Sequence, residues 1–352
     1  NIRFYVDHNA IGLFMQGNGV SPVGSFEELR TWVLGHLLWN PSLDTKALIR
    51  TFLEGYYKDA APYLSEYLDL VHRAATEKRV HVTCYNADYG YMGLAEMNRA
   101  TRLFADAEQA IAEDGELLDR VRRARLELDH LWLLSYWSLL EQAQATQAEF
   151  LGPADPQSAC EAFLEACTRY GARFYEGDNG SYPAFLRAVV AQRPKAAIPP
   201  RLEKARGYVD LQDNQFRKVF NSKTDIVEDP AASDGWALAM SGDITGWVTR
   251  LPVSAVALEH RGPNRCFINA RVVTRSSGSG SVAFKIGIYH EGTRKDLLSR
   301  EVTLNEVGGD YQLIDLGNVT LQPGAYIWIT GPGRSGKVET IYVDRVIFAG
   351  EL

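Results

Sequence analysis

Apolar residues recur at helical spacing through the first half of the chain and alternate with polar ones through the last third. The clearest stretch, SFEELRTWVLGHLLWNPSLDTKALIRTFLEGYYKDAAPYLSEYLDLVH from Ser25 to His72, reads as three consecutive helices. Ser25 and Glu28 form an S-x-x-E capping pattern, which predicts a helix from Phe26. Its apolar side would carry Phe26, Leu29, Trp32, Val33, His36 and Leu37. Asn40-Pro41 ends it, because proline pushes the preceding residue out of the helical region. Asp44 is placed to cap a second helix through Leu48, Phe52 and Tyr56, and Pro62 suits the first turn of a third.

Two long helices are predicted next. Met97, Ala100, Phe104, Ala107 and Ile111 form one apolar stripe, and Leu117, Val121, Ala124, Leu128, Leu131, Ser135 and Leu139 form another. Gly115 separates them, so they should pair as an antiparallel hairpin. Trp132, Tyr136 and Trp137 widen the second stripe and read as core. A shorter helix is expected over about 157–170. After the Pro-rich piece from Pro194 to Gly207 the period falls to two: Cys266, Ile268, Ala270 and Val272, then Val282, Phe284, Ile286 and Ile288, each give a strand one core face. Ile341–Phe348 reads as a closing strand. The expected fold is multidomain α + β, a mostly helical domain followed by an antiparallel β-sandwich.

The amino end differs. Ile2–His8 reads as the tail of a helix and Ile11–Met15 as a short buried strand, the end of an α/β unit. One strand cannot pair with itself, and the chain opens at Asn1 without an initiator methionine. The expectation is a sequence that begins inside a larger fold. If that fold is a barrel, ligand groups gather where strands end, which puts Gln16 and Asn18 forward as ligand contacts; an ordinary polar turn is the alternative. The loop holding Tyr85, Asn86, Asp88, Tyr89 and Tyr91 offers flat rings with hydroxyls, suited to a sugar or to packing against helices.

The bulk numbers narrow the classes. The 352 residues are 46% hydrophobic and 23% charged, the balance of a globular protein of two or more domains. A formal net charge of -7 gives no electrostatic reason to expect nucleic acid, and no apolar run is long enough for a membrane span. The four cysteines form no disulfide framework. On one helix Cys160 and Cys167 would sit roughly 10 Å apart, too far to bridge. Gly331-Pro-Gly-Arg-Ser-Gly336-Lys337 mimics a phosphate-binding loop, but Val338 stands where Ser or Thr should hold magnesium, and a strand follows instead of a helix. The acidic turn Glu176–Gly180 reads as solvated. No G-x-S-x-G elbow or H-E-x-x-H helix is present.

Two resemblances add to this reading. The runs L-L-W-N-P-S-L-D, F-L-E-G-Y-Y and A-A-P-Y-L resemble the helical region that follows the catalytic barrel in a bacterial glycan-degrading family. It was long labelled a domain of unknown function and includes endo-β-N-acetylglucosaminidases. The likeness extends over roughly 1–206. It implies the last strand and loop of a β/α barrel (1–24), a helical domain (25–206) and a linker (207–223), with catalytic acids on barrel strands upstream of this sequence. Residues 224–352 resemble jelly-roll carbohydrate-binding modules, through V-E-D-P-A-A-S-D-G-W-A near the start and Y-V-D-R-V-I-F at the end. In such modules a structural calcium often lies between first and last strands, which would make Glu228, Asp229 and Asp344 its donors. The alternative for Asp344, which should share a side with Tyr342, Val346 and Phe348, is a carboxylate satisfied by loop amides. Trp236, Trp247 and Tyr289 are the candidate sugar-stacking rings. Together these imply a part of an extracellular or periplasmic glycoside hydrolase-like protein that helps form a glycan cleft but is inactive by itself. A non-catalytic carbohydrate-binding or scaffold protein is the rival.

Overall fold

The computed structural model describes residues 2–15, 17, 24–78, 91–172, 182–194, 196–205, 207–218, 224–247, 249–252, 262–276, 280–322, 324–333 and 337–350. The chain divides into two compact units, one of residues 1–76 and 92–179 and one of 77–91 and 180–352. The architecture is mixed α + β: helices in the first unit, antiparallel sheets in a sandwich in the second. Among the described residues no helix is long and apolar enough to cross a membrane.

The helical unit contains α1 (Ile2–Asp7), α2 (Glu27–Trp39), α3 (Thr45–Tyr57), α4 (Ala61–Glu77), α5 (Leu94–Ala110), α6 (Gly115–Thr146) and α7 (Pro156–Arg169). Asp44, Asp114 and Asp155 cap α3, α6 and α7, each carboxylate accepting from two backbone amides in the first turn. The stripes of α5 and α6 bury as their spacing requires, with Met97, Ala100, Phe104, Val121 and Leu128 almost fully enclosed. Trp132 and Tyr136 are core residues as expected, and the Trp132 indole donates to Thr101 Oγ1 at 2.9 Å.

Two local expectations fail here. The capping box at Ser25 does not form: α2 starts at Glu27, Phe26 is its N-cap, and no side chain caps it. Phe26 takes a left-handed conformation, φ 45°, because its ring is buried at 2% exposure against Tyr57 and Tyr67. Ser25 donates to Glu127 instead. Second, Ile11–Met15 is neither buried nor a strand: the backbone is irregular, Phe14 is 88% exposed, and among the described residues no strand pairs with it.

The sandwich unit opens with α8 (Tyr182–Val190). Its strands are β1 (Tyr208–Gln212), β2 (Arg217–Lys218), β3 (Thr224–Glu228), β4 (Trp236–Ser241), β5 (Thr249–Pro252), β6 (Pro263–Thr274), β7 (Val282–His290), β8 (Lys295–Thr303), β9 (Gln312–Thr320), β10 (Ala325–Thr330) and β11 (Val338–Ala349). One sheet runs β3-β4-β11-β6-β9, with β1 also on β11; the other runs β2-β5-β10-β7-β8. The sandwich therefore begins inside the stretch expected as linker: β1 pairs with the end of β11, Tyr208 opposite Ala349 through Gln212 opposite Arg345.

Alternation sets the core. Phe284, Ile286 and Ile288 of β7 and Ile327 and Ile329 of β10 are buried from one sheet, and Cys266, Ile268, Ile341, Val343, Val346 and Phe348 from the other. Strand β11 is buried on both sides: Ile347 and Ala349 form a second small cluster with Phe267 and Leu202. A register shift between Val343 and Arg345 breaks the period at Asp344. Asp344 therefore does not share a side with Val346 and Phe348, as strict alternation required. Its oxygens accept from Ser233 N (3.1 Å) and Oγ (2.8 Å) and from Asn269 Nδ2 (2.6 Å). Replacing it leaves those partly buried donors unmatched. Asp344→Ala should destabilise the sandwich by about 3 kcal/mol or more, read as a lower denaturant midpoint for its transition with that of the helical unit unmoved.

Candidate functional site

The outer side of the β2-β5-β10-β7-β8 sheet carries an aromatic cluster. In β10, Ala325, Ile327 and Ile329 take the core side, so Tyr326 and Trp328 share the other. Tyr326 lies opposite Tyr289 of β7, and Trp328 opposite Gly287. The glycine is required by what crosses it: a Cβ there would lie 2.5 Å from Trp328 Cζ2 and 2.8 Å from the Leu298 carbonyl oxygen. The indole thus lies over β7, and its Nε1 donates to Asp296 Oδ1 of β8 at 3.0 Å.

Trp247, from the loop before β5, closes the cluster. Its ring is nearly parallel to Trp328, 18° between planes and 5.5 Å between centroids, an offset stack. It also meets Tyr289 at 5.3 Å and Tyr326 at 5.8 Å. Tyr326 and Trp328 are buried beneath it at 4% and 6% exposure, whereas Trp247 is 37% exposed. What reaches water is the flat face of one indole, supported from below by the parallel Trp328, with Tyr289 tilted 53° beside it. Such a surface can stack on the C–H face of a ring whose hydroxyls stay in water.

Trp247 and Tyr289, expected as stacking rings, are thus brought together. Trp236 is not. It lies on β4 of the other sheet, with the Arg193 guanidinium 4.8 Å above its ring. Tyr91 is buried at 7% exposure, and its carbonyl accepts from Lys78 Nζ, so its ring is closed to a ligand. Gln16, Asn18 and Tyr89, like the turn Glu176–Gly180, lie outside the described residues. Tyr326, Trp328, Asp296 and Gly287 were not anticipated, although the alternation of A-Y-I-W-I-T already puts the two rings on one side.

The calcium donors do not fit a metal. Asp229 Oδ2 accepts from Arg271 Nε (2.9 Å) and Tyr311 OH (2.7 Å), and Oδ1 from Ala231 N (3.1 Å). Burial pushes its acidity down, but these hydrogen bonds outweigh burial and hold its pKa below the usual carboxylate range. Both oxygens of Asp344 are engaged, and Glu228 is exposed. Arg271, stacked 3.8 Å over the Tyr342 ring, supplies the positive charge that a cation would have brought. Among the described residues no group of three or more His, Cys, Asp or Glu is arranged to hold a metal.

Residues 1–69 match the family described as "Domain of unknown function (DUF4838)". No curated protein matches the chain. Similar solved structures include an arabinose-bound α-L-arabinofuranosidase at 16% identity and TM-score 0.29, covering 38% of this chain and 23% of that one. A CBM22-1 xylan-binding domain from Paenibacillus barcinonensis is 11% identical, TM-score 0.31, covering 41% of this chain and 94% of the domain. A Paenibacillus xanthan lyase is 11% identical, TM-score 0.28, covering 46% of this chain and 14% of the lyase. These neighbours are carbohydrate-active enzymes and a carbohydrate-binding module; scores this low fix no ligand or activity for this chain.

Behind the other sheet lies a buried set of charges. Arg193, just after α8, donates to Asp213 Oδ1 at 2.5 Å, to Asp234 Oδ2 at 3.2 Å and to the Ala188 carbonyl. Burial, reinforced by Asp234 and Asp344, outweighs the pull of Arg193 and raises Asp213 to about 7. The folded state therefore holds this proton more tightly than the unfolded chain, where the carboxyl titrates near about 3.9. That contribution to stability is complete below about pH 4 and is lost as pH rises toward 7. Asp213→Asn removes the titration. Between pH 4.5 and 7.5 the wild type should lose at least about 1 kcal/mol relative to the variant, followed by denaturant unfolding; parallel profiles would refute the assignment.

Proposed function

We propose that the sandwich unit binds a glycan on the surface formed by Trp247 and Tyr289 over Tyr326 and Trp328. The observation that carries this reading is the partly exposed indole of Trp247, held parallel to a second, buried indole. Unsupported apolar surface of this kind is unfavourable in water, and a ring fixed before the ligand arrives loses little freedom on binding. The acidic net charge also favours a neutral partner over a polyanion.

The match over residues 1–69 and the exposed apolar side chains of that region support a second, wider reading. Phe14 and Trp39 are 88% and 92% exposed, surface that a further domain would cover. In this reading a β/α barrel bearing the catalytic acids packs against the Ile11–Met15 segment, and Gln16 and Asn18 border its glycan cleft. The intact protein is then a bacterial, extracellular or periplasmic glycoside hydrolase-like enzyme of the endo-β-N-acetylglucosaminidase kind, and the sandwich holds its substrate nearby. A scaffold without glycan affinity is the competing outcome.

A glycan array followed by calorimetry on the hits separates these. Trp247→Ala should weaken binding at least about tenfold with the unfolding midpoint little changed; a blank array for the intact chain returns the scaffold reading. The purified chain should not turn over N-glycan or chitobiose substrates, and measured hydrolysis would show that its acids lie within these residues.

A further inference from the structure

Trp247 reaches solvent, yet its ring stays within 18° of the plane of Trp328. The explanation lies beneath it. An indole can rotate about its side-chain bonds unless both its face and its polar edge are fixed. Trp328 is fixed at both: its six-membered ring crosses Gly287 where no side chain intervenes, and its Nε1 is tied to Asp296. Asp296 lies beside a register shift between Ile288 and Tyr289, which offsets β8 against β7 at the point where the carboxylate meets the indole.

We propose that Asp296 and Gly287 are positioning residues for the glycan-stacking surface: they hold Trp328 flat, and Trp328 in turn sets the plane of Trp247. The inference rests on the glycan-binding reading for its consequence, though the positioning is measurable without a ligand. Asp296→Ala removes the acceptor and frees Trp328 to turn; Asp296→Asn keeps an amide oxygen that can accept the same hydrogen bond. Gly287→Ala acts on the other anchor, since its Cβ and the indole would occupy the same space.

The test uses the whole chain. Two indoles stacked this closely couple in circular dichroism, and the coupled signal is defined by its loss in Trp247→Phe and Trp328→Phe. Asp296→Ala and Gly287→Ala should each reduce it by half or more, while Asp296→Asn retains it. Affinity for the best glycan on the array should fall roughly tenfold in Asp296→Ala and stay within about twofold in Asp296→Asn. In a Trp328→Phe background Asp296→Ala should do nothing further to either reading. An unchanged coupled signal and affinity in Asp296→Ala overturns the proposal, as does an equal loss in Asp296→Asn. If the signal follows the expected pattern but no glycan binds the wild type, the positioning stands and the glycan reading falls.

Discussion

Asp344 has no exposure to water, and a carboxylate in that position is tolerable only while donors meet its oxygens. Meeting them draws in the surrounding chain. Ser233 comes from the loop between β3 and β4, Asn269 from β6. The adjoining Arg345 reaches Asp210 of β1 and the Ala197 carbonyl. Arg193 adds Asp213, Asp234 and the end of α8. Buried ion pairs add little net energy over apolar packing. What they impose is geometry, since each ion pair or hydrogen bond holds its two groups at a narrow range of distance and angle. Loop, linker and β1 are thereby placed against one sheet, and burial raises the pKa of Asp210, Asp213 and Asp344, making each a weaker acid.

That network closes the outer side of one sheet and leaves the other sheet to carry a surface. The two sides are built from opposite materials. Behind β11 the enclosed groups are charged and polar, and their hydrogen bonds and ion pairs are directional. On β10 and β7 the enclosed groups are rings, whose faces need no directional partner and can accept another flat group. Trp236 illustrates the difference. Its indole resembles that of Trp247 in sequence terms, yet an arginine already lies over it.

Much of this fold was legible in the sequence, because period alone separates α5 and α6 from the β-strands and identifies their core positions. Asp44 and Pro62 punctuated α3 and α4 as read. Three of the failures share a cause: each depends on a partner distant in sequence. Ser25 has a capping pattern, but burial of Phe26 against Tyr57 and Tyr67 decides the backbone there. The short, half-polar YVDLQ looks like linker until β11 supplies its ladder. The register shift at Asp344 inverts a parity that counting by twos could not detect. For the surface on β10, Trp247 and Tyr289 could be named from residue type. Gly287 and Asp296 could not, since their role exists only once Trp328 lies across β7.

Exposed aromatic area by itself does not distinguish a binding surface from an uncovered core. Trp39 and Phe14 show more surface than Trp247 does, yet the three are held differently. Trp247 meets three other rings, one anchored in turn to a carboxylate, so its plane is set before anything binds. Phe14 follows irregular backbone, and Trp39 is the last residue of α2, each with most of its ring in water. Ordering a side chain typically costs about 0.5–1.5 kcal/mol, a sum that a single sugar ring in water can scarcely offset but an extended protein interface can. On the proposed reading, the fixed, half-exposed ring suits a small, weakly held ligand such as a sugar, and the far more exposed ones a large apolar surface.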